Sequence, residues 1–169
     1  MDENLAQGLV HGLRAAGVDF ITYLPETRLS QILPLLQNDN SFQLVPVGSE
    51  AEGVSIAAGA ALGGKVVASY MEGTGVYVSC YNILTVGVRY GVPMLLLVSY
   101  VGSFEDHRNS FLYVQRGIKL IPQLAALDIQ YQVIRNGERL EGKVKDAVHM
   151  MHALKQPVAL LFTGEFTEA

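Results

Sequence analysis

Short apolar runs alternate with amphipathic stretches along nearly the whole chain. Six apolar runs with flanking Gly, Pro or polar residues read as buried strands, at residues 18–24, 42–47, 66–71, 94–99, 131–135 and 158–162. Strands that are apolar throughout, with helices between them, indicate a parallel sheet covered on both faces. The pattern therefore predicts one α/β domain over residues 1–169, a doubly wound parallel sheet of about six strands with helices on both faces.

The stretches between these runs have helical spacing. Thr27 is a candidate cap for a second helix that contains Leu29. We further expect an Ala/Gly-rich helix at 51–62, a helix at about 76–89 that follows an exposed glycine loop at 72–75, and only a short helix at 121–127.

Composition limits the classes of function. Half of the 169 residues are apolar, 17% are charged, and the net charge is −4 without any long Lys/Arg cluster. A nucleic-acid-binding role therefore lacks its electrostatic footprint. So low a charged fraction also suggests that another subunit covers part of the surface.

The sequence has no features that indicate secretion, disulfide bonds or a membrane-spanning segment. Cys80 is its one cysteine, so an internal disulfide is impossible, and the N-terminus has no signal-peptide pattern. The longest apolar run, at 92–98, is too short to cross a bilayer. We expect a cytoplasmic protein.

Polar or glycine-rich sequence follows four of the expected strands, at 25–27, 48–50, 72–75 and 103–108. The C-terminal ends of parallel strands meet at one edge of the sheet, where ligands of open α/β proteins bind. These four segments are therefore candidates for one site.

Glu50 lies where a strand ends and a helix begins. One interpretation is a charge that stabilises the helix N-terminus. The other is an acid–base group, because the neighbouring Val, Ala and Gly would leave the carboxylate poorly solvated and raise its proton affinity. Glu52 is the competing candidate for the second role.

The segment Gly73-Thr74-Gly75 allows close approach of backbone N–H groups to a ligand. It lacks the Lys-Ser/Thr of a P-loop and the third glycine of a dinucleotide fingerprint. A phosphate site, a surface for a neutral ring and a plain tight turn all remain open. The histidines show no metal-binding spacing.

Four segments together resemble a known family. Residues 48–59, residues 65–75 followed by Asn82, residues 91–98 and residues 17–25 are similar to the pyrimidine-binding domain of thiamin-diphosphate enzymes. Within that superfamily the decarboxylases of sulfopyruvate and phosphonopyruvate are most similar, on the evidence of Tyr70-Met71 and the polar loop 105–108.

The resemblance implies a role for each candidate residue. Glu50 would hydrogen-bond the ring nitrogen of the aminopyrimidine and stabilise the imino tautomer, which deprotonates the thiazolium. The cofactor-lining residues would be Gly73, Thr74, Gly75 and Asn82, and the substrate-facing residues Pro25, Glu26, His107 and Arg108. Arg108 would pair with a sulfonate or phosphonate.

The implied activity is decarboxylation of 3-sulfopyruvate to sulfoacetaldehyde and CO₂. Alternatives are a phosphonopyruvate or other 2-oxo acid decarboxylase subunit, and a non-catalytic paralogue that binds ligand or assists assembly. The Gly-Asp-Gly…Asn motif that holds Mg²⁺ and diphosphate in this family is missing from the sequence. The resemblance thus implies a partner beta subunit that supplies this half of the site, in an α₂β₂ or larger assembly.

Overall fold

A computed structural model describes residues 1–107 and 110–167, and its strands form a six-stranded parallel sheet in the order β2-β1-β3-β4-β6-β5. The strands are β1 Phe20–Tyr23, β2 Gln43–Pro46, β3 Val67–Glu72, β4 Leu95–Ser99, β5 Gln130–Ile134 and β6 Val158–Phe162. The prediction of a doubly wound parallel sheet of about six strands is therefore confirmed.

Burial differs between the centre and the edges of the sheet. Strands β1, β4 and β6 are buried along their whole length, and β3 is buried up to its last residue. The edge strands β2 and β5 are largely exposed or half-buried. The continuous apolar runs belong to the central strands, since each of these has a neighbour on both sides and helices on both faces.

Helices cover both faces of the sheet. The described helices are α1 Glu3–Ala15, α2 Ile32–Gln37, α3 Glu50–Leu62, α4 Gly73–Val78, α5 Cys80–Asn82, α6 Phe111–Ala126 and α7 Leu140–Leu154, with a π-helix at Ile83–Arg89 and a 3₁₀ turn at Gly164–Thr167. One apolar core lies under α1, α2 and α7. The other lies under α3, α4 and α6.

The start of α2 differs from the sequence prediction. The helix begins at Ile32 after Gln31, which makes no side-chain cap, so Thr27 does not cap it. Instead the Glu26 carboxylate accepts hydrogen bonds from the N–H groups of Arg28 and Leu29, at 2.8 and 2.6 Å. These bonds hold a separate turn between β1 and α2.

The glycine segment is also different from its prediction. Gly73 and Gly75 belong to the first turn of α4 and are buried, whereas an exposed loop was expected. The helix predicted for 76–89 is three pieces, because a π-helix replaces the α-helical pattern from Ile83 onward.

Helix α6 is more than twice the predicted length. Its first half, which opens with the exposed residues Phe111 and Leu112, was not predicted from the sequence. Gly117 has a packing role: a Cβ there would lie 2.2 Å from the carbonyl oxygen of Gly102. The helix therefore packs backbone to backbone on the loop after β4.

No helix within the described residues has the length and apolarity needed to span a membrane.

Candidate active site

The strand order places a crevice between β1 and β3. The chain leaves β1 toward β2 on one side and leaves β3 toward β4 on the other, so the loops that follow β1 and β3 diverge. Such a switch point is where ligands bind in open α/β sheets. A cavity of about 160 Å³ lies at this edge, lined by Glu26, Thr27, Arg28, Glu72, Val101 and Tyr113.

Glu50 is the first residue of α3, and its side chain packs against Gly75 in the first turn of α4. A Cβ atom at Gly75 would lie 2.6 Å from Cγ of Glu50 and 2.9 Å from Cβ of Met71. Only glycine leaves room for this contact. The segments after β2 and β3, which the sequence predicted to share one edge, are thus in direct contact.

Glu50 and Glu52 both lie in the first turn of α3, and Glu52 makes the side-chain hydrogen bond at the start of the helix. Ser49 Oγ accepts the N–H of Glu52 at 3.2 Å, and Glu52 Oε2 accepts the N–H of Gly48 at 2.7 Å. This reciprocal pair is a variant of the capping box that satisfies donors at a helix N-terminus. It leaves Glu50 half-buried, with no hydrogen bond to its carboxylate from the part of the chain that the structure describes.

Asn82 lies next to the same helix. Its Nδ2 donates to Ser55 Oγ at 2.8 Å, and Ser55 Oγ in turn donates to the carbonyl oxygen of Ala51 one turn earlier in α3. The amide group of Asn82 is therefore oriented by α3, the helix that begins with Glu50. Half-buried Asn82 and Glu50 belong to the same α3–α4–α5 packing unit.

Glu26 follows β1 and lines the cavity. Besides the two backbone N–H groups, its carboxylate accepts the hydroxyl of Tyr70 at 2.7 Å. Burial is the main reason that the pKa of Tyr70 is raised above its ordinary value, and the Glu26 charge raises it further. Tyr70 thus remains a neutral donor, and Glu26 is fixed in direction by three hydrogen bonds.

Glu72 ends β3 at the opening of the glycine turn. Its Oε1 accepts Thr74 Oγ1 at 3.0 Å and Arg116 Nη1 at 3.1 Å. Thr74 is half-buried, and Gly73 is buried beneath Leu120, whose Cδ2 would be 3.3 Å from an added Cβ. Thr74 and Gly73 are therefore ordered by contacts with β3 and α6.

The remaining predicted substrate residues have different positions. Pro25 is exposed beside Glu26, and His107 is exposed at the end of the described part of the β4–α6 loop. Arg108 lies outside the described residues. Among the described residues, no group of three or more His, Cys, Asp or Glu side chains is placed to hold a metal ion.

Sequence reasoning did not single out Arg28 or Tyr113, both of which line the cavity. Arg28 is buried and pairs with Asp106, 78 residues away, and its guanidinium carbon lies 5.7 Å from the Tyr113 ring centroid. Arg28 could have been suspected from its place after Pro25-Glu26-Thr27. Tyr113 carried no signal, because the first half of α6 was not predicted.

The chain is similar to known proteins over most of its length. The family described as "Thiamine pyrophosphate enzyme, N-terminal TPP binding domain" matches residues 3–119. Sulfopyruvate decarboxylase subunit alpha of Methanothermobacter thermautotrophicus is 30% identical, with 95% of this chain and 96% of the relative covered. The protein of the same name from Methanococcus maripaludis is 27% identical, with 98% of each chain covered.

A solved structure supports the fold. The 2-oxoglutarate:ferredoxin oxidoreductase from Magnetococcus marinus superposes with a TM-score of 0.72 at 18% identity, over 99% of this chain and 29% of that chain. At that identity the likeness concerns the fold. The family match covers β1 to β4 with the candidate site between them, and the sulfopyruvate decarboxylase relatives extend over nearly the full length. The chain belongs to the thiamine pyrophosphate enzymes as an N-terminal TPP binding domain, in the family of sulfopyruvate decarboxylase alpha subunits.

Proposed function

We propose that this chain is the alpha subunit of a heteromeric thiamin-diphosphate-dependent decarboxylase that converts 3-sulfopyruvate to sulfoacetaldehyde and CO₂. In this proposal the single domain over residues 1–169 supplies the pyrimidine half of the active site. The relatives' names support the substrate, since three of them at 27–30% identity are called sulfopyruvate decarboxylase subunit alpha.

The observation that carries the proposal is that Glu50 and Glu52, both in the first turn of α3, differ in their hydrogen bonds. Glu52 is engaged in the cap of α3, whereas the Glu50 carboxylate has no hydrogen-bond partner within the described chain and its stem packs on Gly75. A half-buried carboxylate with no hydrogen-bond partner in the described chain suits a ring that carries a basic nitrogen. The residues therefore fit the aminopyrimidine end of thiamin diphosphate.

In the proposed mechanism, bound thiamin diphosphate supplies a thiazolium that serves as the electron sink for decarboxylation. Glu50 shares a proton between its carboxyl oxygen and the ring nitrogen of the aminopyrimidine. Gly75 makes room for the Glu50 side chain, and Asn82, oriented by Ser55, would line the pyrimidine side together with Gly73 and Thr74.

The substrate end is proposed to lie toward the loops after β1 and β4. Glu26 lines the cavity there, with Pro25 beside it, and His107 and Arg108 follow buried Asp106 in the chain. Arg108 is the proposed sulfonate ligand, because a guanidinium offers two parallel donors to such a group. An Arg108→Ala variant with an unchanged KM for sulfopyruvate would refute that assignment.

A partner is required by this proposal. A beta subunit would supply the Mg²⁺ and diphosphate half of the site, in an α₂β₂ or larger assembly in the cytoplasm. The relatives are named as alpha subunits, which supports a second kind of chain.

The test is coexpression with a candidate beta chain and assay of CO₂ release from sulfopyruvate with thiamin diphosphate and Mg²⁺. We expect activity from the complex and none from the isolated chain. Glu50→Gln should lower kcat at least about 100-fold, whereas the control Glu52→Gln should remain within a few-fold of wild type. Full activity of the Glu50→Gln complex would contradict the assigned role, and activity of the isolated chain would contradict the divided site.

A further inference from the structure

The cavity at the switch point has a buried ion pair on one wall. Arg28 Nη2 donates to Asp106 Oδ2 at 3.0 Å, and Arg28 Nη1 lies 3.0 Å from Asp106 Oδ1. The two side chains are only 5% and 0% exposed. The pair joins the turn after β1 to the loop after β4, two segments that the strand order places at the same edge.

The Asp106 end of this pair is anchored. Asp106 Oδ2 also accepts the N–H of Gly102 at 2.8 Å. Gly102 in turn is pressed against α6: a Cβ there would lie 2.0 Å from the carbonyl oxygen of Tyr113. Asp106 therefore holds Arg28 from a segment that has little freedom to move.

The Arg28 end is tied to Glu26. The N–H of Arg28 donates to Glu26 Oε2 at 2.8 Å, and the next N–H, of Leu29, donates to Glu26 Oε1 at 2.6 Å. A shift of the Arg28 backbone would move two of the three donors that orient this carboxylate, the third being the Tyr70 hydroxyl. Glu26 also lines the cavity. The direction of its carboxylate there therefore depends on where Asp106 holds Arg28.

A buried ion pair of this kind often contributes little to the free energy of unfolding. Replacement of a buried ion pair by neutral residues of similar volume is often neutral or stabilising, because desolvation offsets the attraction between the charges. We propose, building on the proposed function, that Arg28 is a positioning residue: held by Asp106, it fixes the turn that aims the Glu26 carboxylate into the substrate cavity.

Direct recognition of the substrate anion by Arg28 is the rival explanation, since Arg28 also lines the cavity. The local charges argue against it. Asp106 already compensates Arg28, Arg116 compensates Glu72, and Glu26 adds a further negative charge. Among the described residues at the cavity, Arg28 therefore has no uncompensated charge to offer an incoming anion.

The chain offers a matched control. Arg14 and Asp39 form an Arg–Asp pair at 2.9 Å, and Asp39 likewise accepts a backbone N–H, from Ser41 at 2.9 Å. This pair is more exposed, and Asp39 lies in the loop before β2, at the opposite edge of the sheet from the cavity. The two pairs share their chemistry and differ in burial and in place.

The experiment compares the double variant Arg28→Met/Asp106→Asn with Arg14→Met/Asp39→Asn in the assembled complex. The Asp106→Asn change keeps an acceptor for the Gly102 N–H and removes the charge. We expect kcat to fall about 10- to 100-fold with KM for sulfopyruvate within about 3-fold, and the control to keep both constants within about 2-fold. Arg28→Lys, which keeps the charge opposite Asp106, is the second variant and should also lower kcat.

An unchanged kcat in the folded double variant would overturn the proposal, and so would a large rise in KM at constant kcat, which indicates anion binding. Hydrogen exchange of the Arg28 and Leu29 amides in the intact chain gives an independent readout. We expect faster exchange in the double variant and in Arg28→Lys, and unchanged exchange would refute the positioning role. A wild-type complex that is inactive on sulfopyruvate would refute the proposed function. The hydrogen-exchange comparison would still test whether Arg28 positions the turn, because it does not depend on activity.

Discussion

A Cβ atom added to Gly75 would lie 2.6 Å from Cγ of Glu50, closer than two non-bonded carbon atoms approach. Helix α4 therefore requires glycine where the Glu50 side chain crosses it. Gly75 has no positive φ, so the requirement comes from the neighbouring side chain and not from the backbone conformation.

Gly75→Ala should therefore displace Glu50. We expect a loss of about 1–3 kcal/mol of unfolding free energy from overpacking, and at least about a 100-fold fall in decarboxylation by the complex. The control is Gly59→Ala in α3, where an added Cβ has no neighbour within 4 Å. This control should be neutral or slightly stabilising because alanine favours helix. Equal activity in the two variants would argue against the Glu50–Gly75 contact.

Glu52→Ala should reduce stability and leave the chemistry intact. Loss of the bond from Gly48 N–H to Glu52 Oε2 removes half of the cap of α3, which corresponds to about 0.5–1 kcal/mol. Glu50→Gln should change the unfolding free energy by less than about 0.5 kcal/mol. Urea unfolding of both variants checks this, and a larger stability loss in Glu50→Gln would reverse the two roles.

Tyr70→Phe should make the protein less sensitive to alkali. Burial, then the Glu26 charge, raises the pKa of Tyr70 in the folded state above its unfolded value near 10. The neutral hydroxyl thus contributes stability that is fully present below pH ~10 and lost as pH rises further, by up to about 1.4 kcal/mol per pH unit. Unfolding between pH 8 and 11 should show a shallower decline in the variant.

The control for that experiment is Tyr131→Phe, on the exposed edge strand β5. It should keep the wild-type decline. If the unfolding free energy of Tyr70→Phe declined with pH as steeply as that of wild type, folding would not raise the pKa of Tyr70.

Gly102→Ala should be far more damaging than Gly17→Ala. Both glycines have a positive φ, of 82° and 80°, so both substitutions share a backbone penalty of about 1 kcal/mol. At Gly102 the added Cβ would also lie 2.0 Å from the Tyr113 carbonyl oxygen, whereas at Gly17 it would have no neighbour within 4 Å. We expect a difference of at least about 2 kcal/mol in unfolding free energy. Similar losses would show that the loop can move away from α6.

The sequence predicted the sheet well because the information was local. Strand β6 is continuously apolar and has its predicted bounds, since burial on both faces leaves that mark in a single short segment. Helix α6 was predicted at less than half its length. Its Gly117 is explained by contact with Gly102, a partner 15 positions earlier that periodicity cannot reveal.

The same distinction applies to the candidate site. The sequence by itself determined that Glu50, Glu26 and the Gly73–Gly75 segment follow parallel strands and so share an edge, because strand direction fixes which ends meet. Only the tertiary structure decided which glutamate caps α3, that Gly75 accommodates Glu50, and that Arg28 reaches Asp106. These outcomes depend on side-chain contacts between distant segments, which packing determines and a one-dimensional pattern does not contain.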